Sequence, residues 1–401
     1  MKSVVITSAC RTAIGKLGGT LKEVLPEELV KVVIEGAISK SQLEKSMIDE
    51  VIVGQTKQTT DAPNIARVAS LKAGIPEKVP AYTVHRQCSS GMQAIVNAVW
   101  QIQAGYADIV VAAGVESMST APYYIRKARF GYGSGNGELL DPNTESQPKS
   151  QPEEIYGRFN MGWTAENLAE IYNISREEQD KFAYESHLKA VRATDSGIFK
   201  QEIVPVKISQ KKGQSIIFEV DEHIRRDTSM EKLARLKPVF KENGTVTAGN
   251  SSGRNDGAAA VIVMSEEKAK ELNIKPMVRF VSAGIAGVDP RKMGIGPVPA
   301  TKKALKRAAL TLNDIGLIEL NEAFAAQSLA CVKELNINTD ILNVNGGAIA
   351  LGHPLGCSGN RITVTLIHEM LRRKVKYGLA AICVAGGLGM AAIYENVFET
   401  H

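Results

Sequence analysis

Residues 84–94 read Val84-His-Arg-Gln-Cys88-Ser-Ser-Gly-Met-Gln-Ala94, and residues 351–361 read Leu351-Gly-His-Pro-Leu-Gly-Cys357-Ser-Gly-Asn-Arg361. In the first stretch a short strand at Tyr82–His85 gives way to a helix that opens at Cys88–Gly91 and runs to Ala104. In the second a glycine-rich turn gives way to a helix from Ser358 to Arg372. Each helix is followed by a tyrosine, Tyr106 or Tyr377, and then by a β-rich run ending in glycine, Gly114 or Gly386. A pattern that recurs with this much detail predicts a duplicated α/β core.

Working outward, strands are expected at Val4–Ser8, Glu50–Gly54 and Ile109–Gly114, alternating with helices at Glu27–Ser39 and Ile65–Ala73, where apolar residues recur at helical spacing. The second copy has helices across Thr301–Ala309 and from about Ala323, with strands at Leu317–Leu320, Ile341–Val344 and Ala380–Ala385. Such alternation implies a mainly parallel sheet covered on both faces. Between the copies, roughly Thr120 to Thr245, lies a Gly-, Asn-, Pro- and Ser-rich section (Gly131–Pro152), a helix at Ser175–Ser196 and a basic run from Arg225 to Lys237. The expected organisation is therefore a first core half over 1–120, completed by 246–270, an inserted loop domain over 121–245, and a second core half over 271–401. Ligands of α/β sheets gather at strand C-termini, where this insertion would cover the site.

At 401 residues the chain exceeds one ordinary core, and 44% hydrophobic with 23% charged residues suits a folded enzyme. A net charge of +5 with dispersed Lys and Arg argues against a nucleic-acid surface and suits an anionic small ligand. The five cysteines (Cys10, Cys88, Cys331, Cys357, Cys383) are odd in number and far apart, so neither a metal site nor a disulfide framework is expected, and a reducing cytoplasm is. No signal-peptide pattern opens the sequence. The longest uncharged segment, Gly378 to Tyr394, is short and broken by Gly386, Gly387 and Gly389; it reads as buried strands and a turn rather than a membrane span.

A helix N-terminus favours a thiolate through its free N–H groups, so Cys88 is a candidate nucleophile, although a small buried hydrophobe is an equal reading of the residue alone. Cys357 has a similar setting, and Cys383 precedes Ala385-Gly386-Gly387; Cys10 and Cys331 read as core. His353, held in a rigid Gly-His-Pro turn, is a candidate catalytic base. His85, His187, His223, His368 and His401 read as surface or packing residues.

Several longer segments carry a resemblance. Val84 to Ala94, Gly244-Thr-Val-Thr-Ala-Gly-Asn-Ser-Ser-Gly-Arg-Asn-Asp-Gly-Ala258, Asn321-Glu-Ala-Phe-Ala-Ala-Gln327 and Asn345-Gly-Gly-Ala-Ile-Ala-Leu-Gly-His-Pro-Leu-Gly-Cys-Ser-Gly359 closely resemble the thiolase family, as do Gly162–Asn167, Ile174–Asp180 and Gly287–Pro297. The resemblance implies a duplicated five-layer αβαβα core and a loop domain that binds coenzyme A. It further implies Cys88 as the nucleophile that becomes acylated, Cys383 as the acid/base at the α-carbon, His353 as the base that activates Cys88, and Asn321 as the holder of an oxyanion-site water. Ser252, Ala248, Met161, Ala323, Phe324 and Arg225 (or its neighbour Arg226) are implied for coenzyme A. Acyl-CoA thioesters would be substrate and product with no prosthetic group, and the family is commonly dimeric or tetrameric. The implied reaction is the reversible condensation of two acetyl-CoA. The alternatives are a 3-ketoacyl-CoA thiolase for longer chains and a silent acyl-CoA-binding relative, against which the four catalytic residues stand together. No Gly-x-Gly-x-x-Gly after the first strand supports a dinucleotide enzyme. The chain departs from the family pattern at His85, Ser89, Asn160, Arg254, Gly316 and Ala385. Asn160 is expected at the acyl end of the channel, where acetyl-CoA-specific members commonly carry His.

Overall fold

The uncharged strands alternate their side chains between two apolar environments, and this alternation builds the molecule in layers. In the computed structural model, which describes residues 2–210 and 213–397, strands β1 (Val4–Arg11), β2 (Glu50–Gly54), β3 (Ala81–Val84), β4 (Ile109–Ser117) and β5 (Asn255–Ser265) are ordered β1-β5-β4-β2-β3. Strands β6 (Val278–Gly287), β7 (Leu317–Leu320), β8 (Tyr377–Val384) and β9 (Leu388–Asn396) follow the order β7-β8-β9-β6. Among the described residues the two sets of strands pair at Val5 with Arg279 and Ile6 with Val278. His401 lies outside the described residues.

The sheet is mixed rather than mainly parallel. Strands β2, β3 and β4 pair in parallel, as do β7 and β8, but β5 runs antiparallel to β1 and β4, and β9 antiparallel to β8 and β6. The cause is local for β8 and β9. Gly386 (φ +86°) and Gly387 (φ +82°) adopt the left-handed backbone that turns a strand directly back on itself. The strand expected at Ile341–Val344 is also absent; a 3₁₀ turn at Thr339–Ile341 and one bridge from Leu342 to Ile318 take its place. Asn343 (φ +42°) breaks the extension, and its side-chain amide does a strand's work instead, bonding Leu320 N and Leu320 O at 2.9 Å each.

Among the described residues eight helices have eight or more residues: α1 (Pro26–Ser41), α2 (Ile65–Lys72), α3 (Ser90–Ala104), α4 (Met161–Ile171), α5 (Arg176–Asp195), α6 (Pro297–Ala308), α7 (Ala325–Leu335) and α8 (Leu355–Arg373); α4 and α5 pack on α7 and the others lie against the sheet. On β4, Val110 and Ala112 pack with α3 and α8, while Val111 and Ala113 pack with α1 and α2. In the second half Leu317, Ala380 and Ile382 face α3 and α8, whereas Ile318, Leu320 and Leu379 face α6 and α7. The result is five layers, with α3 and α8 sandwiched between the halves. Both are buried nearly all round, and the polar residues this encloses on α8 include Asn360, whose amide donates to Ala112 O at 2.9 Å, and Arg361, 3.4 Å from Glu319.

The N-termini of α3 and α8 meet over β4, and glycines make the approach possible. A β-carbon at Gly114 would lie 2.6 Å from the Gly356 carbonyl oxygen and 2.9 Å from the Gly91 α-carbon, both backbone atoms that a rotamer change cannot move. Gly114→Ala is expected to lower stability by about 1–3 kcal/mol, the usual range for overpacking, and to depress the apparent thermal midpoint. An unchanged midpoint would mean that the two helices part without cost.

Candidate active site

Cys88 sits at the bend between β3 and α3. Gln87, just before it, has φ +45°, a strained conformation for a residue with a β-carbon, and the turn is over-determined by hydrogen bonds that hold it there. Ser89 N and Ser89 Oγ both donate to Arg86 O, at 3.1 and 3.0 Å, and Ser90 Oγ accepts from Arg86 N at 2.8 Å. Cys88 is partly exposed, whereas Cys10, Cys331, Cys357 and Cys383 are buried. Burial pushes the Cys88 thiol up to about 11, opposed by the N–H groups of Ala385 and of Cys88 itself, which point at the sulfur. Burial carries Cys10, Cys331 and Cys357 higher, to about 12. Cys357, the repeat's counterpart to Cys88, is sealed in the central layer.

His353 is fixed at three points. Its backbone N–H donates to Asn255 Oδ1 at 2.9 Å, and Gly352 (φ +109°) leaves room for that asparagine. Ser358 Oγ donates to Pro354 O at 2.9 Å, so at 2.6 Å it must accept the Nδ1–H of His353. This assigns the tautomer: Nε2 is bare, 3.5 Å from Asn321 Nδ2. Burial, with the positive charge of Arg361, drops the imidazole to about 3, so it is a neutral base at physiological pH. Asn321 is buried, and its Oδ1 has no protein partner among the described residues, leaving an acceptor that suits a water. Next to it, Glu322 is locked by Ser186, Asn343 and the N–H of Ile349.

Cys383 ends β8 with its thiol pushed far up by burial and by the neighbouring Cys88. Cys88, His353, Cys383, Met161, Ser252, Ala323 and Phe324 line one pocket of about 180 Å³, with Phe240 and Met293. Asn321 stands behind His353. Two of the residues implied for coenzyme A are not among the pocket's lining: Ala248 and Arg225 are exposed outside it, the latter with its N–H bonded to His187 Nδ1 at 3.2 Å.

Residues 4–267 match the family model "Thiolase, N-terminal domain" and residues 274–396 the model "Thiolase, C-terminal domain". The chain belongs to the thiolase family. It is 50% identical over 396 residues to a probable acetyl-CoA acyltransferase of Staphylococcus aureus (strain COL), covering 99% of this chain and all of that one. The crystal structure of the Bacillus anthracis acetyl-CoA acetyltransferase superposes with a TM-score of 0.96 at 49% identity, covering 99% of both chains. That of human mitochondrial 3-ketoacyl-CoA thiolase in complex with CoA gives 0.93 at 43%, covering 99% of this chain and 98% of the other.

The structure gives physical reasons for several departures from the thiolase pattern. Asn160 is exposed, and its side chain caps α4 by accepting the Trp163 N–H at 3.0 Å; it does not line the pocket as expected from sequence. Ala385 does not need the left-handed backbone that Gly386 and Gly387 require. Ser89 ties the elbow, and a β-carbon at Gly316 would meet the Val375 Cγ1 methyl at 2.5 Å, so a larger residue there needs that side chain to turn.

Sequence reasoning missed Glu116 and Ser358. The buried Glu116 carboxylate accepts from Thr56 N, Thr56 Oγ1, Lys57 N and Gly356 N, tying the loop after β2 to the start of α8 beside the site. The signal for Glu116 is a lone acid in the apolar run Ile109–Ser117; Ser358 carries no signal beyond its place at the start of the repeated helix.

A thiol lifted this far stays protonated at neutral pH, and its thiolate fraction rises with pH through about 11. Iodoacetamide should therefore label Cys88 before the other cysteines, with a rate that keeps climbing past 9.0, the value of an unperturbed thiol. A plateau near that value, or first labelling at Cys357, would refute the assignment.

Proposed function

We propose that this thiolase is an acetyl-CoA C-acetyltransferase that condenses two acetyl-CoA to acetoacetyl-CoA, and runs the reverse cleavage, through an S-acetyl-Cys88 intermediate. The observation that carries this reading is the convergence of two sulfurs, Cys88 and Cys383, with the neutral imidazole of His353 on one small pocket.

The steps follow from proton ownership. His353 Nε2 takes the Cys88 proton as the sulfur attacks the thioester carbonyl, whose oxygen is met by His353 and a water held by Asn321. The carbon–sulfur bond to coenzyme A breaks, and the departing thiolate is protonated by Cys383. Burial makes the resulting Cys383 thiolate a strong base, suited to removing a proton from the α-carbon of the second acetyl-CoA. The carbanion attacks the acetyl group, whose oxygen turns to the N–H groups of Cys88 and Ala385. The Cys88–carbon bond then breaks, and His353 returns the proton to Cys88.

For coenzyme A we infer Met161, Ala323, Phe324 and Ser252 along the pantetheine, with Ala248 and Arg225 at the exposed outer end, where a phosphate stays solvated. The division into core halves over 1–120 with 246–270 and over 271–401, with a covering loop domain over 121–245, suits this arrangement. A cytoplasmic enzyme is supported by cysteines that are all free among the described residues. A homodimer or homotetramer, common in the family, is supported by the exposed Tyr123, Ile125, Phe130 and Leu139. Among the described residues no helix is long and apolar enough to cross a membrane.

The two sulfurs can be separated by step. Cys383→Ser should still take one acetyl group onto Cys88, seen by peptide mass spectrometry after incubation with acetyl-CoA, yet condense at least roughly a hundredfold more slowly, because a hydroxyl replaces the base. Cys88→Ser should not be acetylated at that peptide. Loss of acetylation in both variants alike would contradict this division of labour.

A further inference from the structure

A buried ammonium is costly unless a negative charge answers it. Lys57 is only 8% exposed, yet among the described residues no carboxylate lies within ion-pair distance of its ammonium. The ammonium donates instead to two neutral acceptors, Pro142 O at 3.0 Å and Ser146 Oγ. The nearby carboxylates are engaged by other donors. Glu116 accepts from Thr56 N, Thr56 Oγ1, Gly356 N and the backbone N–H of Lys57, and Asp141 accepts from Asn143 N at 2.8 Å and from Thr144 Oγ1 at 3.2 Å. Burial accordingly lowers the affinity of Lys57 for its proton, with Glu116, Cys88 and Asp141 opposing and Arg254 assisting.

The fold brings this cation to the Cys88 elbow from two directions. The backbone of Lys57 belongs to the loop after β2, which is wedged against the start of α3. A β-carbon at Gly54 would overlap the Ser90 carbonyl, Gln55 N donates to Val84 O at 3.2 Å, and a β-carbon at Gly356 would stand 2.8 Å from the Gln55 α-carbon. At its other end the side chain of Lys57 holds Ser146, which lines the pocket together with Cys88. The other titratable groups lining that pocket with Cys88 are His353, which is neutral, Cys383, whose thiol burial keeps protonated, and the exposed Arg254. Lys57 is the cation that eases ionisation of Cys88 against burial and Glu116. The negative charge missing around Lys57 is therefore of the kind that the reaction creates, as Cys88 gives up its proton and attacks.

We propose that Lys57 is a positioning residue for the nucleophile, holding a buried cation behind the elbow as the counter-charge of the Cys88 thiolate. The proposal rests on the thiolase reading above for the role of Cys88 and adds a residue to it that does not touch substrate. A residue needed only to tie down segment 142–146 could be a neutral hydrogen-bond donor. A counter-charge could not.

The test uses the intact enzyme without coenzyme A and reads the rate at which a limiting dose of iodoacetamide modifies the Cys88 peptide at about pH 8, where that rate follows the small thiolate fraction. Lys57→Gln, which keeps a donor for Pro142 O, and Lys57→Met should each slow labelling about threefold to thirtyfold, as expected for the loss of one charge near a thiol. Lys57→Arg keeps the charge and should label faster than either. With acetyl-CoA, kcat should fall in the two neutral variants while KM stays within about twofold, because Lys57 does not line the pocket. A purely structural lysine has the opposite signature, since loosening segment 142–146 opens the pocket and speeds labelling. Unchanged or faster labelling in Lys57→Gln overturns the proposal, as does an Lys57→Arg enzyme that labels no faster than Lys57→Gln. A wild-type Cys88 that iodoacetamide labels but acetyl-CoA never acetylates would overturn the thiolase reading instead.

Discussion

The structure depends on the contact of two helix N-termini, α3 and α8, across the glycines at 91, 114 and 356. Bringing two positive helix ends together is electrostatically unfavourable unless a negative charge answers them. The buried Glu116 carboxylate supplies it, accepting the Gly356 N–H at 2.9 Å from α8 and the Lys57 N–H at 2.9 Å from the loop after β2. A buried carboxylate is costly when unpaired, and four donors meet this one. The same carboxylate thereby fixes the start of α8, next to the turn that carries His353, relative to the loop after β2.

This constraint explains why two similar cysteines differ in fate. Both stand at the start of a central helix, yet Cys357 is pressed into the layer between the sheet halves while Cys88 faces the pocket. The difference lies in what precedes them. Strand β3 and the strained Gln87 swing Cys88 outward, whereas Cys357 follows Pro354 inside the first turn of α8. Duplication supplied two equivalent positions, and only one retains access to a substrate.

Much of this was legible in the sequence. Caps and turns announce helices such as α5, where Ser175 and Glu178 form a reciprocal capping box, and the glycine runs mark the places where backbones approach. The catalytic candidates were legible because their chemistry sits in local turns: Cys88 at a helix start and His353 between glycine and proline. What could not be read is non-local. Antiparallel β5 is reached from across the molecule, and nothing in its own residues states its direction. Asn343 replaces a strand by side-chain bonds to Leu320, a substitution that only the folded pairing reveals. Asn160 precedes the pocket residue Met161 in the chain, but its side chain is committed to the end of α4, which its position alone does not reveal.

The electrostatics of the site favour neutral partners. With the Cys88 thiol near 11 and the His353 imidazole near 3, an ion pair between them is strongly disfavoured in the resting enzyme. In the proposed mechanism the proton moves only when the thioester carbonyl arrives and the new oxyanion offsets the charge separation. Burial thus opposes ionisation before binding, and in the proposed mechanism a water held by Asn321 and the N–H groups of Ala385 and Cys88 offset it afterwards. An arrangement of this kind protects a nucleophilic sulfur from adventitious electrophiles and oxidants, whose attack needs a free thiolate, while leaving it available to a bound thioester.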